Sequence, residues 1–282
     1  MRRHPDWLKV RIGGGETYVQ MKSLLREAKL HTICEEAKCP NIAECFGNGT
    51  AVFLILGDTC TRNCRYCYVH HGQPLPLNQN EPDDVAESAH QLGLSYVVVT
   101  SVTRDDLSDG GAQMFAKTVT EIKTRNPECT VEVLIPDFQG NKEALRTVIA
   151  SHPAVINHNI EVVESLFPSI RPEGNYQMSL DVLRSIKLFD GQVKTKSGFM
   201  VGLGENDMQI QQTMRDLCAV GVDFLTIGQY LQPSKKHAPI KKYYAPAEFD
   251  MLKESALDMG FSHVESGPLV RSSYHAERAL SQ

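Results

Sequence analysis

The stretch Cys60-Thr61-Arg62-Asn63-Cys64-Arg65-Tyr66-Cys67 places three cysteines at C-x3-C-x2-C spacing, directly after the apolar run Ala51 to Leu56. The apolar run predicts a buried strand, so the cysteines fall on the loop that follows it. Three thiols so close together suit an iron–sulfur cluster or a metal ion. Iron–sulfur clusters usually take four cysteine ligands, so a four-iron cluster held by three would keep one iron open. A structural zinc site completed by His70 or His71 is the alternative, although zinc sites favour paired C-x2–4-C spacing.

A second cysteine triplet precedes the first, with Cys34, Cys39 and Cys45 at C-x4-C-x5-C spacing. Each triplet has enough ligands for a metal group of its own. A zinc finger is the alternative for the upstream triplet, but a third cysteine at x5 is not finger spacing. Two triplets so close in sequence favour an enzyme with two clusters.

Composition restricts the class of protein. The chain has 282 residues and a net charge of −5, which argues against nucleic acid as the main partner. No apolar stretch approaches the roughly 20 residues of a membrane span, and the start has no apolar region of a secretory signal. Eight cysteines without such a signal indicate a reducing compartment. We therefore expect a cytoplasmic protein, with an organelle form as the alternative, and we expect Cys129 and Cys218 to lie in the core.

From Ala51 onward, apolar strand patterns alternate with helix patterns. Strands are predicted near 51–56, 95–100, 130–135, 154–158, 194–201 and 222–228, and helices near 82–92, 111–125, 141–151, 176–189, 207–220 and 246–259. An earlier helix is predicted over 18–30. Strands separated by helices imply a parallel sheet, and six such units make an open, partial (β/α)6 barrel. A flat, doubly wound sheet is the alternative. Polar residues follow most of the strands, where the active site of a (β/α) barrel is built.

The first triplet resembles the motif of the radical S-adenosylmethionine (SAM) enzymes, in which an aromatic residue such as Tyr66 precedes the last cysteine. The resemblance implies that Cys60, Cys64 and Cys67 hold a cluster whose open iron chelates SAM, which is then cleaved to a 5′-deoxyadenosyl radical. It also implies SAM contacts after several strands. The candidates are Ser101, His158, Asn159 and Lys196.

Both triplets together with the tail Arg271-Ser272-Ser273-Tyr274-His275-Ala276 resemble the lipoyl synthase family, as do Pro5 to Lys9 and Arg104 to Leu107. The resemblance implies two 4Fe-4S clusters and insertion of sulfur at C6 and C8 of an octanoyl group on a carrier lysine. The auxiliary cluster would be the sulfur donor, held by Cys34, Cys39, Cys45 and Ser272, with Ser273 as the alternative to Ser272. The rivals are another sulfur-inserting radical SAM enzyme, such as a biotin synthase or a methylthiotransferase, and a non-catalytic electron-transfer module.

The same resemblance implies the organisation and partners of the chain. Residues 1–50 would be an extension carrying the auxiliary cysteines, 51–262 the barrel and 263–282 a segment carrying the serine ligand, all in one structural domain. We expect both extensions to close the mouth of the barrel. The implied partners are octanoylated carrier domains (2-oxoacid dehydrogenase E2 subunits and the glycine-cleavage H protein), a reductant such as ferredoxin or flavodoxin, and an iron–sulfur carrier that rebuilds the cluster. No nucleic acid or membrane partner is expected, and a monomer is the default.

A basic loop interrupts this otherwise acidic chain. Four lysines, Lys235, Lys236, Lys241 and Lys242, lie within eight residues. The loop is either a solvated surface segment or a docking patch for an acidic protein substrate, since charges at the rim of an interface steer encounter.

Overall fold

The computed structural model describes residues 5–9, 15–28, 30–37, 39–47 and 52–280. Its helices are α1 (Glu16–Glu27), α2 (Ile33–Glu36), α3 (Ile42–Gly47), α4 (Glu81–Gln91), α5 (Ala112–Arg125), α6 (Lys142–Ile149), α7 (Phe167–Ile170), α8 (Tyr176–Phe189), α9 (Asp207–Ala219) and α10 (Pro246–Asp258). Its strands are β1 (His31–Thr32), β2 (Val52–Ile55), β3 (Thr59–Cys60), β4 (His70–His71), β5 (Tyr96–Ser101), β6 (Thr130–Leu134), β7 (Val155–Asn157), β8 (Lys194–Val201), β9 (Phe224–Gln229) and β10 (His263–Gly267). Short 3-10 helices lie at Asp6–Leu8, Phe138–Gly140, Glu164–Leu166 and Ala276–Leu280.

The main sheet of the described residues has eight strands in the order β1-β2-β5-β6-β7-β8-β9-β10. All neighbours pair in parallel except β1 and β2, which are antiparallel. A doubly wound sheet reverses its strand order at a switch point, and this order runs in one direction without reversal. No pairing joins β10 to β2 within the described residues. The partial barrel is therefore confirmed, and the flat sheet is excluded.

Each predicted strand from the second onward lies within two residues of its observed position, and Ala51 of the first lies outside the described residues. The strands form because their apolar residues are buried on both faces of the sheet, as the four buried residues of β2 illustrate. Pro82 and Pro246 lie in the first turns of α4 and α10, where a missing N–H costs nothing. Cys129 is buried as predicted, and Cys218 is half-buried against the core.

The inner face of the barrel carries an unusual set of polar residues. Pairing puts Glu132 of β6 level with Val155 of β7, and Asn157 level with Lys196 of β8, so these side chains share one face of the sheet. The ammonium of Lys196 lies 3.0 Å from a carboxylate oxygen of Glu132, and the hydroxyl of Tyr96 donates to the other oxygen at 2.7 Å. The lumen is therefore lined in part by a buried, hydrogen-bonded ion pair.

The C-terminal segment closes the barrel at the amino ends of its strands. Ala279 packs against Val155 and Phe224, which are the first residues of β7 and β9. A Cβ at Gly228 would collide with the carbonyl oxygen of Val270, so this glycine allows the tail to lie directly against β9. The last strand, β10, lies within the segment 263–282 that was assigned to the tail, yet it extends the main sheet.

The two chain ends are joined by a part-buried hydrogen bond, in which the side-chain amide of buried Asn41 donates to the carbonyl of Leu269 at 2.7 Å. No helix among the described residues is both long and apolar enough to cross a membrane.

We predict that Asn41→Ala destabilises the folded chain by about 1 kcal/mol, because the part-buried hydrogen bond to the carbonyl of Leu269 is lost. Urea unfolding followed by circular dichroism measures the change. Gln113→Ala is the control, since the Gln113 side chain is exposed on α5. Equal stability of both variants would show that this bond does not hold the chain ends together.

Candidate active site

The first cysteine triplet lies beyond the carboxyl end of β2, on the loop that the sequence predicts. The sulfur of Cys60 accepts backbone N–H groups from Arg62 at 3.4 Å and from Thr103 at 3.3 Å. Burial, to which the charge of Cys60 adds, raises the pKa of the Cys64 thiol to about 11 and that of Cys67 to about 12. Buried thiols whose ionisation a neighbouring thiolate opposes, with N–H donors directed at the Cys60 sulfur, fit a cluster whose iron would compensate the thiolate charge.

Arg62 fixes this loop to two neighbouring strand ends. Its guanidinium bonds to Asp105 at 2.7 and 2.9 Å and to Asp137 at 2.6 and 2.7 Å. The Arg62 side chain is only 5% exposed and that of Asp137 only 1%. Although burial opposes ionisation, the bonds and charge of Arg62 hold the pKa of Asp137 well below its usual range. The loop is thus held by a buried, fully bonded charge pair.

Polar atoms without partners gather beside the first triplet. Buried atoms with no hydrogen-bond partner include the Ser101 hydroxyl, Nε2 of His158 and the side-chain oxygen Oδ1 of Asn159. Buried polar atoms are normally paired, so these positions fit the polar groups of a bound cofactor. Glu161 lies in the same place with a backbone φ of 72°, and it accepts hydrogen bonds from Tyr66 and Asn159. Three of the four candidate SAM contacts therefore each present a buried polar atom without a partner, and their role stays a prediction.

The side chain of Lys196 has a partner, unlike the other three candidates. Lys196 is level with Asn157, the last residue of β7, and its backbone carbonyl accepts the N–H of His158 at 3.0 Å. Its ammonium is bonded to both carboxylate oxygens of Glu132 at 3.0 and 3.2 Å. Its role as a SAM contact stays a prediction.

The second triplet lies at the opposite end of β2. The antiparallel pairing of β1 with β2 directs the following chain towards the amino end of β2, where Cys34 accepts the N–H of Val52. Cys45 lines a cavity of about 380 Å³ together with Leu92 to Tyr96, which precede and begin β5. Cys34 and Cys45 therefore lie at the amino ends of the strands, whereas Val270 of the tail lies against Gly228 near the carboxyl end of β9. That both extensions close the mouth of the barrel stays a prediction.

The thiols of the second triplet also affect one another. Burial, followed by the charges of Cys39 and Cys45, raises the pKa of Cys34, and burial and Cys39 raise that of Cys45 to about 12. Such mutual repulsion fits a cluster site as it does for the first triplet. In the described ranges, no three His, Cys, Asp or Glu side chains are arranged to hold a single metal ion.

The C-terminal serines lie in sequence between two residues that interact electrostatically with this triplet. The charge of Arg271 acts on Cys39, and Cys45 acts on Tyr274. Tyr274 also donates to Glu44 at 3.0 Å. Ser272 and Ser273, which stand between Arg271 and Tyr274, are thereby held near Cys39 and Cys45. This position fits a serine ligand for the second triplet but does not distinguish Ser272 from Ser273.

Sequence reasoning missed the pairing of Arg62 with Asp137 and that of Glu132 with Lys196. A signal existed for Glu132, because a single charge inside the apolar strand Thr130–Leu134 needs a buried partner. Arg62 lies within the cysteine motif, but its carboxylate partners Asp105 and Asp137 come from loops that are distant in sequence. It also missed Glu205, whose carboxylate accepts the N–H groups of Gly202, Leu203 and Gly204 at 2.5–3.0 Å.

We predict that Arg62→Lys destabilises the fold by roughly 3–5 kcal/mol, because one ammonium cannot satisfy two buried carboxylates. Iron bound by the reconstituted protein should fall by about half if the displaced loop loses its cluster while the second triplet keeps its own. Urea unfolding and iron content measure the two effects. Arg184→Lys, which alters an exposed pair with Asp181, is the control. Wild-type stability and iron content in Arg62→Lys would contradict the anchoring role.

We predict a pH effect from His158, whose pKa burial lowers from 6.5 to about 4. Unfolded chains then bind this proton more readily than folded ones, so its stabilising contribution is complete above pH 6.5. It is lost as the pH falls towards 4, and it amounts to on the order of 3 kcal/mol. Urea unfolding across this range should show a steeper loss for wild type than for His158→Gln. Parallel curves would exclude a buried neutral imidazole.

Comparisons with known proteins agree with this geometry. A family model described as the radical SAM superfamily matches residues 54–217, and one described as the N-terminal domain of lipoyl synthase matches residues 1–39. The lipoyl synthase of Alkaliphilus metalliredigens (strain QYMF) is 52% identical over 282 residues, covering 100% of this chain and 97% of the relative. That of Rubrobacter xylanophilus is 54% identical over 272 residues, covering 96% and 85%.

Among solved structures, methylornithine synthase (PylB) shares the fold with a TM-score of 0.58 at 14% identity, covering 90% of this chain and 83% of its own. The similarity to that structure shows the fold alone. The family is shown by the relatives that are more than 50% identical over most of their length. The chain therefore belongs to the lipoyl synthase family of the radical SAM superfamily.

Proposed function

We propose that this chain inserts sulfur at C6 and C8 of an octanoyl group that is amide-linked to a lysine of a carrier protein. The observation that carries the proposal is the position of two cysteine triplets at opposite ends of one barrel lumen. Cys60, Cys64 and Cys67 would hold the SAM-binding cluster. Cys34, Cys39, Cys45 and Ser272 would hold the auxiliary cluster.

The bound groups would supply a 5′-deoxyadenosyl radical at one end of the lumen and sulfur at the other. An unactivated methylene has no acidic proton, so no acid–base pair of the protein can replace the radical. The role of the chain is therefore to bind, orient and exclude water. Ser101, His158 and Asn159 have unpaired polar atoms suited to orient SAM beside Cys64.

The lumen suits a long, narrow substrate. Strand β2 alone separates its two ends by about 10 Å, at roughly 3.3 Å per residue. An acyl chain lying along it would meet the radical source and the sulfur source without leaving the protein. The tail under β7 and β9, together with α3, would keep water and small reductants from the amino end.

The substrate is an octanoylated carrier protein, as the family activity implies. We infer that the carriers are lipoyl domains of 2-oxoacid dehydrogenase E2 subunits and the glycine-cleavage H protein. An iron–sulfur carrier would rebuild the auxiliary cluster after each turnover. The chain would act as a monomer in the cytoplasm.

A non-catalytic electron-transfer module has less support. Such a module needs no partial barrel and no buried, unpaired polar atoms beside its cluster. Formation of 5′-deoxyadenosine under a reductant separates the two functions.

The test is an anaerobic reaction of the reconstituted protein with SAM, dithionite and an octanoyl-lysine peptide. The expected product carries two added sulfur atoms by mass spectrometry. A product with one sulfur, or with a sulfur-containing group at another position, would instead indicate a different sulfur-inserting enzyme.

We predict that Cys60→Ala abolishes SAM cleavage, because the cluster that reduces SAM loses a ligand. Cys39→Ala should retain cleavage within about threefold but insert no sulfur. Cys129→Ala is the control, since this buried thiol lies outside both triplets. Lipoyl product from the Cys39 variant would contradict the role of the second triplet.

We further predict that Ser272→Ala lowers sulfur insertion at least tenfold while SAM cleavage stays within a few-fold of wild type, because only the auxiliary cluster loses a ligand. Product and 5′-deoxyadenosine are measured in the same reaction. Ser273→Ala is the matched control. A fully active Ser272 variant beside an inactive Ser273 variant would move the assignment to Ser273.

A further inference from the structure

The basic loop 234–242 is anchored and not a solvated segment. The Ala238 N–H donates to the carbonyl of Arg65 at 2.8 Å, and Nε2 of His237 lies 2.9 Å from the carbonyl of Cys67. From within, the Tyr230 hydroxyl donates to Ala238 at 2.8 Å. The loop is thus bound directly to the backbone that carries Cys64 and Cys67.

Three of its lysines carry charge that the protein does not compensate. Lys235, Lys236 and Lys241 are exposed, and no side-chain partner for them occurs among the residues that the structure describes. Lys242 differs, because its ammonium lies 2.7 Å from Glu248 and 3.9 Å from the centre of the Tyr244 ring. Arg65 on the adjoining loop is also exposed, and it likewise has no side-chain partner within the described part of the chain. We call Arg65, Lys235, Lys236 and Lys241 the basic rim.

Two carboxylates of this region are already engaged. Glu205 binds three backbone N–H groups, and Glu248 is paired with Lys242. Glu173, which follows α7, is exposed, and its negative charge acts on Cys64. The rim is therefore a local positive surface on a chain of net charge −5.

We propose that the basic rim is the docking surface for an acidic, one-electron donor protein of the ferredoxin or flavodoxin type. The inference rests on the proposed function, which requires an electron at the first triplet. The donor would lose one electron to that cluster. The electron would break the sulfur–C5′ bond of SAM to give methionine and the radical, so two electrons enter for each product.

Position supports an electron donor as the occupant. Electron transfer needs close approach to the cluster, and the loop that carries Lys235, Lys236 and Lys241 is hydrogen-bonded through Ala238 and His237 to the carbonyls of Arg65 and Cys67. Opposite charge raises association rates by about 10–10³-fold at low ionic strength.

The test is the triple variant Lys235→Glu, Lys236→Glu, Lys241→Glu in the reconstituted protein. The triple variant Lys123→Glu, Arg184→Glu, Lys253→Glu makes the same change in net charge on α5, α8 and α10 and serves as the control. Production of 5′-deoxyadenosine is compared with flavodoxin and with dithionite as reductants. Calorimetric titration with flavodoxin gives the affinity without turnover.

The rim variant should lose at least about tenfold in flavodoxin affinity and flavodoxin-supported rate at low salt, while its dithionite rate stays unchanged. The difference from the control should shrink as ionic strength rises. Equal loss in both variants, or none, would overturn the proposal. So would a loss seen with an intact octanoyl carrier but absent with flavodoxin. Failure of the proposed function can be told apart from failure of the docking proposal. In that case the wild-type protein with dithionite, SAM and octanoyl peptide would yield no product with two added sulfur atoms.

Discussion

Strand β2 fixes the separation of the two cysteine triplets. It pairs with β5 in parallel on one side and with β1 in antiparallel on the other. The chain leaving β2 reaches the carboxyl end of the barrel with Cys60, whereas the chain leaving β1 turns towards the amino end with Cys34. A one-residue slip between β1 and β2 would exchange their faces and move Cys34 away from Val52. The two-ended architecture of the site depends on this short ladder.

The buried thiols at both ends of the barrel are hard to ionise, and different residues hold them at each end. Buried thiols resist ionisation, and the charge of a neighbouring thiolate raises their pKa further. At the carboxyl end, buried Arg62 binds half-buried Asp105 and buried Asp137. These bonds hold the loop so that a backbone N–H donates to the Cys60 sulfur. At the amino end, Arg271 faces Cys39 from the tail. The first site is built by the barrel itself, and the second requires the chain ends to meet.

The sequence predicted the barrel well because its signals are local. Apolar runs with helices between them define β2 and β5 to β9, and the cysteine spacing defines both triplets. It predicted neither β1, which has two residues, nor β10, whose sequence His263-Val264-Glu265-Ser266-Gly267 is mostly polar. The Glu132–Lys196 pair depends on the register of β6, β7 and β8, which no local pattern reveals. The end at which Cys34 lies follows from the direction of β1, which no local pattern reveals.

The comparisons divide the chain as the structure does. The superfamily match covers 54–217, which holds the first triplet and most of the barrel, while the match specific to lipoyl synthases covers 1–39. A distant structure with 14% identity keeps the fold, so the barrel alone does not determine which bond is formed. Under the proposed function, the auxiliary cluster loses sulfur in each reaction and must be rebuilt. Its ligands lie on the chain ends, with Cys45 at a cavity. Rebuilding that cluster therefore leaves the buried Arg62 anchor of the radical site undisturbed.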